Sequence, residues 1–256
     1  MSSVDIRNAG KRTADLNLKN PHDREIFEKL LEDVDIVVDG YRPGALTRLG
    51  YGPSQLSLHA TKRNRGIIYV NENCFGYNGN WAQRPGWQQI ADCVSGIAWT
   101  QGLSMGKEEP MVPPFPMSDY GTGIMGAIAA LTGVFKRAME GGSWWGGSSL
   151  VAYDLYLFRL GVYPEDVWGE IRRVHDVEFW RLRYFDSVDR ISGTALRSMK
   201  RVRPELFMGE YLDKGYSEGF KGEVEIVKPV VKMNKTWNGF SLATRPNGFD
   251  EPRWME

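Results

Sequence analysis

Apolar residues in this chain change their spacing from one segment to the next, and those changes predict alternating helices and strands. Asn20-Pro21 opens a helix well, an Asn cap followed by Pro in the first turn, and Ile26, Phe27, Leu30 and Leu31 then share one face. Residues 34–38 are a continuous apolar run rich in β-branched side chains and closed by Asp39-Gly40, which predicts a strand buried on both faces. Pro43-Gly44 turns the chain, Pro53-Ser54 starts another short helix, and Ile67-Ile68-Tyr69-Val70 predicts a second strand. Strand, helix and strand in that order make a βαβ unit. The fold class is therefore α/β with a parallel sheet, and ligands are expected beyond the carboxyl ends of its strands, in the loops at 40–44 and 71–86.

The second loop, residues 73–87, is long, glycine-rich and aromatic, the composition of a binding loop. A helix is predicted over 88–99, and a connection over 107–116 leads to Pro116-Met117-Ser118-Asp119-Tyr120-Gly121-Thr122-Gly123. After it, Ile124, Ala127, Ile128, Leu131, Val134 and Phe135 recur at three- and four-residue spacing, predicting a helix whose apolar face packs inward and which Gly141-Gly142 ends. Trp144-Trp145, set between glycine pairs, has no explanation in the pattern alone. Residues 150–163 read as a mostly buried helix, 168–201 as amphipathic helices with solvated basic faces, and 224–231 as a strand before a Gly/Pro tail.

Composition narrows the function classes. With 32 basic and 32 acidic residues among 256, bulk charge points neither to nucleic acid nor to an anionic membrane. Two cysteines, Cys74 and Cys93, make no disulfide framework, and His22, His59 and His175 add no metal-ligand spacing, so no metal site is expected. No signal sequence and no run of about 18 apolar residues is present. The expectation is a cytoplasmic protein; a mitochondrial or peroxisomal location stays open, although Trp254-Met255-Glu256 is not a peroxisomal tripeptide.

Asp119 is the residue with candidate chemistry. At the start of a helix, unpaired N–H groups and the positive end of the dipole favour an ionised carboxylate, and a carboxylate held this way can be a nucleophile. The simpler reading is a helix cap. Gly121 and Gly123 leave backbone exposed nearby, suited either to stabilising an oxyanion or to flexibility at the helix start.

Several segments together resemble the family III CoA-transferases, which include formyl-CoA transferase, carnitine CoA-transferase and 2-methylacyl-CoA racemase. They are residues 11–19, residues 35–49 with Tyr41-Arg42-Pro43-Gly44, Phe75-Gly76, Arg84-Pro85-Gly86 and Ser118-Asp119-Tyr120-Gly121-Thr122-Gly123. The match runs in order from about residue 8 to about residue 160, and residues 244–254 look like the end of the longer fungal members. The resemblance implies a Rossmann-like core over 1–163, with a helical and C-terminal return segment over 164–256. It implies that Asp119 takes an acyl group from an acyl-CoA as a mixed anhydride, forms an aspartyl-CoA thioester and passes CoA to a carboxylic acid, with Gly121 and Gly123 beside it. It also implies CoA binding by Leu16, Asn17, Leu18 and Lys19, by Tyr41, Arg42 and Arg48, and by Arg84 and Trp87. CoA is then a substrate, with no permanently bound cofactor, and the partner is a second copy in an interlaced homodimer.

The departures are as specific as the matches. The family begins with a strand and a small-residue turn at the nucleotide site, and this chain starts inside that pattern, so part of the CoA pocket is expected to be missing. Gly40 stands where the family commonly has Asn. Racemases of the superfamily pair the aspartate with a Gly-His-Asp histidine, and Gly86-Trp87-Gln88 offers no proton shuttle in its place. The remaining alternative is an inactive truncated homologue that serves as a binding subunit.

Overall fold

The structure is a computed structural model that describes residues 8–255. The chain divides into two compact units, one of residues 34–202 and one that joins the segment up to Asp33 with the segment from Arg203 onward.

The larger unit is built on a parallel sheet of three strands, β1 (Ile36–Asp39), β2 (Ile68–Asn73) and β3 (Trp144–Ser149), in the order β1-β2-β3. Asp39 pairs with Asn71 and Asn73 with Ser149, so the carboxyl ends of the strands share one edge of the sheet. Helices α2 (Ala45–Arg48) and α3 (Pro53–Lys62) cross from β1 to β2, as the βαβ reading requires. From β2 to β3 the chain forms α4 (Gln88–Ser95), α5 (Ile97–Ser104) and the long α6 (Met117–Glu140). After β3 come α7 (Leu150–Leu160), α8 (Glu165–Val174), α9 (Val177–Trp180) and α10 (Val188–Val202). The helix predicted over 88–99 is two helices, because Gly96 takes φ +90° between them.

Burial corrects the sequence reading at three elements. On β1, Val38 is 59% exposed, so that strand is not buried on both faces. On α7 only Leu150 and Asp154 are buried, while Leu155, Tyr156, Phe158 and Leu160 are exposed. The largest correction concerns α6. Its buried positions are Ser118, Gly121, Thr122, Gly126 and Gly133, whereas Ile124, Ala127, Ile128, Leu131 and Phe135 face outward.

Close backbone approach decides which face of α6 goes in. The site of a Cβ on Gly133 lies 2.7 Å from the Ile68 Cγ2 methyl, and that of a Cβ on Gly146 lies 3.0 Å from the Ala129 methyl. Small residues on helix and strand thus let α6 lie directly on β2 and β3, closer than a face of Ile and Leu would allow. This accounts for Gly146 after Trp144-Trp145. The tryptophans themselves are anchored at the surface, Trp144 by donating Nε1–H to the Gly141 carbonyl (2.9 Å) and Trp145 edge-on to Tyr77 (5.1 Å between ring centres).

In the smaller unit, α1 (Pro21–Asp33) starts as its sequence predicts, with Asn20 Oδ1 accepting the His22 N–H at 3.0 Å. The two terminal segments bind each other by backbone and side-chain hydrogen bonds: Gly10 N–H donates to the Leu242 carbonyl (2.7 Å) and the Thr13 Oγ1 hydroxyl to the Pro246 carbonyl (2.5 Å). Asp250 accepts from Thr13 N–H and pairs with Arg245 (2.7 Å). An antiparallel hairpin, β4 (Leu212–Ser217) and β5 (Gly222–Val227), lies upstream of the strand position predicted at 224–231 and overlaps it.

Candidate active site

The carboxyl ends of β1 and β2 and the first turns of α6 and α7 enclose a cavity of about 300 Å³ within the larger unit. Tyr41, Arg42, Arg84, Trp87 and Asp119 all line it, although they come from three separate segments of the sequence. Two loops carry the basic residues. The first is held in shape by Asp39, which accepts the Tyr41 N–H at 3.0 Å. In the second, Asn73 Oδ1 accepts the Gly76 N–H at 2.6 Å, Phe75 and Trp81 meet edge to face at 5.3 Å, and the Arg84 guanidinium lies 5.0 Å from the Trp81 ring centre. The long loop is thus ordered by its own aromatics.

Asp119 sits in the first turn of α6 and is exposed at the mouth of the cavity. The turn beneath it is tightly anchored. Ser118 is wholly buried and donates Oγ–H to Asp92 Oδ1 (3.1 Å), and Gln88 Nε2 donates both to Asp92 Oδ2 (3.1 Å) and to the Phe115 carbonyl (3.2 Å). Burial, then the negative charge of Asp154, pushes Asp92 up to about 6. Gln88 is therefore committed to bracing the start of α6.

The two glycines behave differently from the oxyanion role considered for them. Tyr120 N–H already donates to the Pro116 carbonyl (3.1 Å), so the helical ladder is running before residues 121 and 123, and amides there point into the preceding turn. Gly121 lacks a side chain because the Tyr153 ring occupies that space, while Gly123 faces open space.

Three cavity residues escaped the sequence reading. Thr122 is buried, lines the cavity one helical turn from Asp119, and its Oγ1 has no hydrogen-bond partner. Its i+3 spacing from Asp119 was the available signal. Glu72, half-buried near the end of β2, has its pKa raised by burial, partly offset by the Ser148 hydroxyl. A polar Asn-Glu-Asn triplet ending a buried strand was the sign of it. Cys74 also lines the cavity, but burial and then the charges of Asp154, Asp119 and Asp92 push its thiol up to about 11, so it is not a thiolate nucleophile near neutral pH.

Arg48 does not line the cavity; its Nη1 donates to the Pro43 carbonyl (3.3 Å) and braces the turn that presents Tyr41 and Arg42. Leu16, Asn17, Leu18 and Lys19 belong to the smaller unit, where Asn17 N–H donates to Asp23 Oδ2 (2.8 Å) and Asn17 Oδ1 accepts the Lys19 N–H (3.1 Å), a turn fastened to α1. Among the described residues no group of three or more His, Cys, Asp or Glu is arranged to hold a metal ion, and no helix is long and apolar enough to cross a membrane.

Asp119 at a helix start thus faces a loop cavity carrying Arg42 and Arg84 at the carboxyl edge of a parallel α/β sheet. The chain belongs to CoA-transferase family III, whose profile matches residues 2–144. It is 36% identical over 251 residues to the acetyl-coenzyme A transferase nodX of Hypoxylon pulicicidum, covering 96% of this chain and 42% of that protein. It is 39% identical over 176 residues to an acyl-CoA transferase of Gibberella moniliformis, covering 67% of this chain and 31% of the relative. The chain thus spans less than half the length of either. Its fold is that of the Mycobacterium tuberculosis protein Rv3272 in its orthorhombic crystal form, with a TM-score of 0.67 at 15% identity over 95% of this chain and 83% of the other.

Proposed function

We propose that this chain transfers CoA between an acyl-CoA and a carboxylic acid, with Asp119 as the covalent nucleophile. What carries the reading is the presence of Asp119, Arg42 and Arg84 around one cavity in a chain of this family. An Asp119 oxygen attacks the thioester carbonyl, the C–S bond breaks, and the CoA thiolate leaves an aspartyl-acyl anhydride. The thiolate then attacks the aspartyl carbonyl, releasing the first acid and forming an aspartyl-CoA thioester. The acceptor carboxylate attacks that thioester, and the thiolate finally takes the new acyl group, restoring Asp119. Arg42 and Arg84 pair with CoA phosphates, and Tyr41 and Trp87, both exposed, cover its flat or apolar parts. Thr122 Oγ–H, rather than the amides of Gly121 or Gly123, donates to the oxyanion formed at each attack. The bound pantetheine arm itself excludes water from Asp119, which is otherwise open.

A second copy of the chain covers the outward face of α6, where Ile124, Ile128, Leu131 and Phe135 are each more than half exposed in one continuous stripe. Sedimentation of the purified chain tests this part: a dimer that dissociates in Leu131→Glu supports it, and a wild-type monomer at micromolar concentration refutes it. For the activity, exchange of labelled acid into acyl-CoA is measured with each substrate varied. Parallel ping-pong lines, lost in Asp119→Asn, are expected; full exchange by Asp119→Asn rejects the proposal.

A further inference from the structure

The first turn of α6 is shared between two cavities. Asp119 and Thr122 line the one described above, while Met117 and Ser118 line another, of about 460 Å³. Its walls are mostly apolar and aromatic, from Ile97, Leu157, Phe158, Val162, Tyr163 and Trp168, with Thr100, Gln101 and Ser104 as the polar part of the lining. It opens at Val162 and Tyr163, both about two-thirds exposed. At its floor lie Asp92 and Asp154. Asp154 is wholly buried; its Oδ2 accepts from Ser95 Oγ (3.0 Å), and its Oδ1 has no partner. Trp168 Nε1–H is likewise buried without an acceptor.

Native interiors seldom leave such groups unmatched, and an apolar cavity with a few convergent polar atoms is the ordinary form of a small-molecule site. The two unmatched atoms differ in sense, one an acceptor and one a donor. A carboxylate ligand would bring a third negative charge beside Asp92 and Asp154 and has no proton to give. An ammonium would satisfy Asp154 but has no lone pair for the indole N–H, and a hydrocarbon satisfies neither. A hydroxyl carries both a proton to give the first and a lone pair to offer the second. We propose that this cavity binds an apolar small molecule through a hydroxyl group directed at Asp154, with the hydrocarbon body against Leu157, Phe158 and Val162. The site is separate from the Asp119 cavity and stands or falls apart from the transfer reaction.

Calorimetric titration of the whole chain with octan-1-ol, octanoate and octylammonium, which share one chain length and differ in headgroup, tests this. Saturable binding of octan-1-ol is expected, about fivefold or more tighter than either ion, since a hydrogen bond to a charged group is worth on the order of tenfold in affinity. Asp154→Leu should weaken it about tenfold. Leu157→Trp, which fills the cavity from its wall without touching the floor, should abolish it, and decides the matter if Asp154→Leu fails to fold. Asp119→Asn should bind octan-1-ol as the wild type does, whatever its transfer activity. Equal affinity for the three headgroups, preference for either ion, no binding at all, or binding unchanged in Leu157→Trp would overturn the proposal.

Discussion

Replacing Gly121 and Gly123 by alanine, one at a time, separates packing from helix propensity two residues from Asp119. In a helix interior alanine is favoured over glycine by about 1 kcal/mol. At Gly123 the new methyl meets open space, so Gly123→Ala should stabilise the chain by about 0.5–1 kcal/mol. At Gly121 the methyl would overlap the Tyr153 ring itself, placing the cost at the upper end of the overpacking range, about 3 kcal/mol, and outweighing the propensity gain. Gly121→Ala should therefore lose about 2 kcal/mol net. The two variants should differ by about 3 kcal/mol, roughly 6–12 °C in Tm for a chain near this size. Urea unfolding followed by tryptophan fluorescence supplies the comparison. Adding Tyr153→Leu to Gly121→Ala should recover part of the loss, because the pair is in contact. If Gly121→Ala proves as stable as Gly123→Ala, the packing of α6 on α7 described above is wrong.

Other expectations follow from the same contacts. Thr122→Val should lower the transfer rate about 10²-fold with little change in KM, the cost of losing one oxyanion donor, and an unchanged rate would remove Thr122 from the mechanism. Ser118→Ala, which leaves one Asp92 oxygen unsatisfied, should destabilise by about 1–3 kcal/mol in denaturant titration, and a neutral result would contradict that bond. Asp92 and Asp154 are both raised to about 6 from 3.8, by burial first. Their folded forms hold protons more tightly than the unfolded chain, so the stability they contribute is complete below pH 4 and is lost as pH rises through 6. Asp154→Asn should therefore gain on the wild type across that interval, and a constant difference would refute the assignment. Iodoacetamide at neutral pH should modify exposed Cys93 before buried Cys74, as peptide mapping would show.

The local elements were legible in the sequence wherever one residue type has one conformational use. Asn20-Pro21 opens α1, β-branched runs mark β1 and β2, and the residues of the 40–44 and 71–87 loops come together around one cavity. Legibility failed where burial depends on what lies across an element. Periodicity correctly predicted a helix that follows Asp119 and ends at Gly141-Gly142, but it assigned the inside to Ile124, Ile128 and Leu131. The sheet instead requires the small face of Gly126 and Gly133, and only the placement of Glu72 and Ile68 against them reveals that. Thr122 and Glu72 were hidden for a related reason. A lone threonine on a helix or a glutamate in a strand carries no signal until its neighbours show that it lines the same space as Asp119. The residues expected to bind CoA from the 16–19 segment depended on resemblance alone, and their local geometry is that of a turn fastened to α1.

The central claim is that the Asp119 carboxylate becomes covalently acylated and then thioesterified. Mass spectrometry of peptides from chain incubated with acetyl-CoA and quenched with hydroxylamine measures this directly. A hydroxamate confined to Asp119, absent from Asp119→Asn and dependent on acetyl-CoA, is the predicted result. Unmodified Asp119 under conditions in which CoA exchange is demonstrably proceeding would contradict the account.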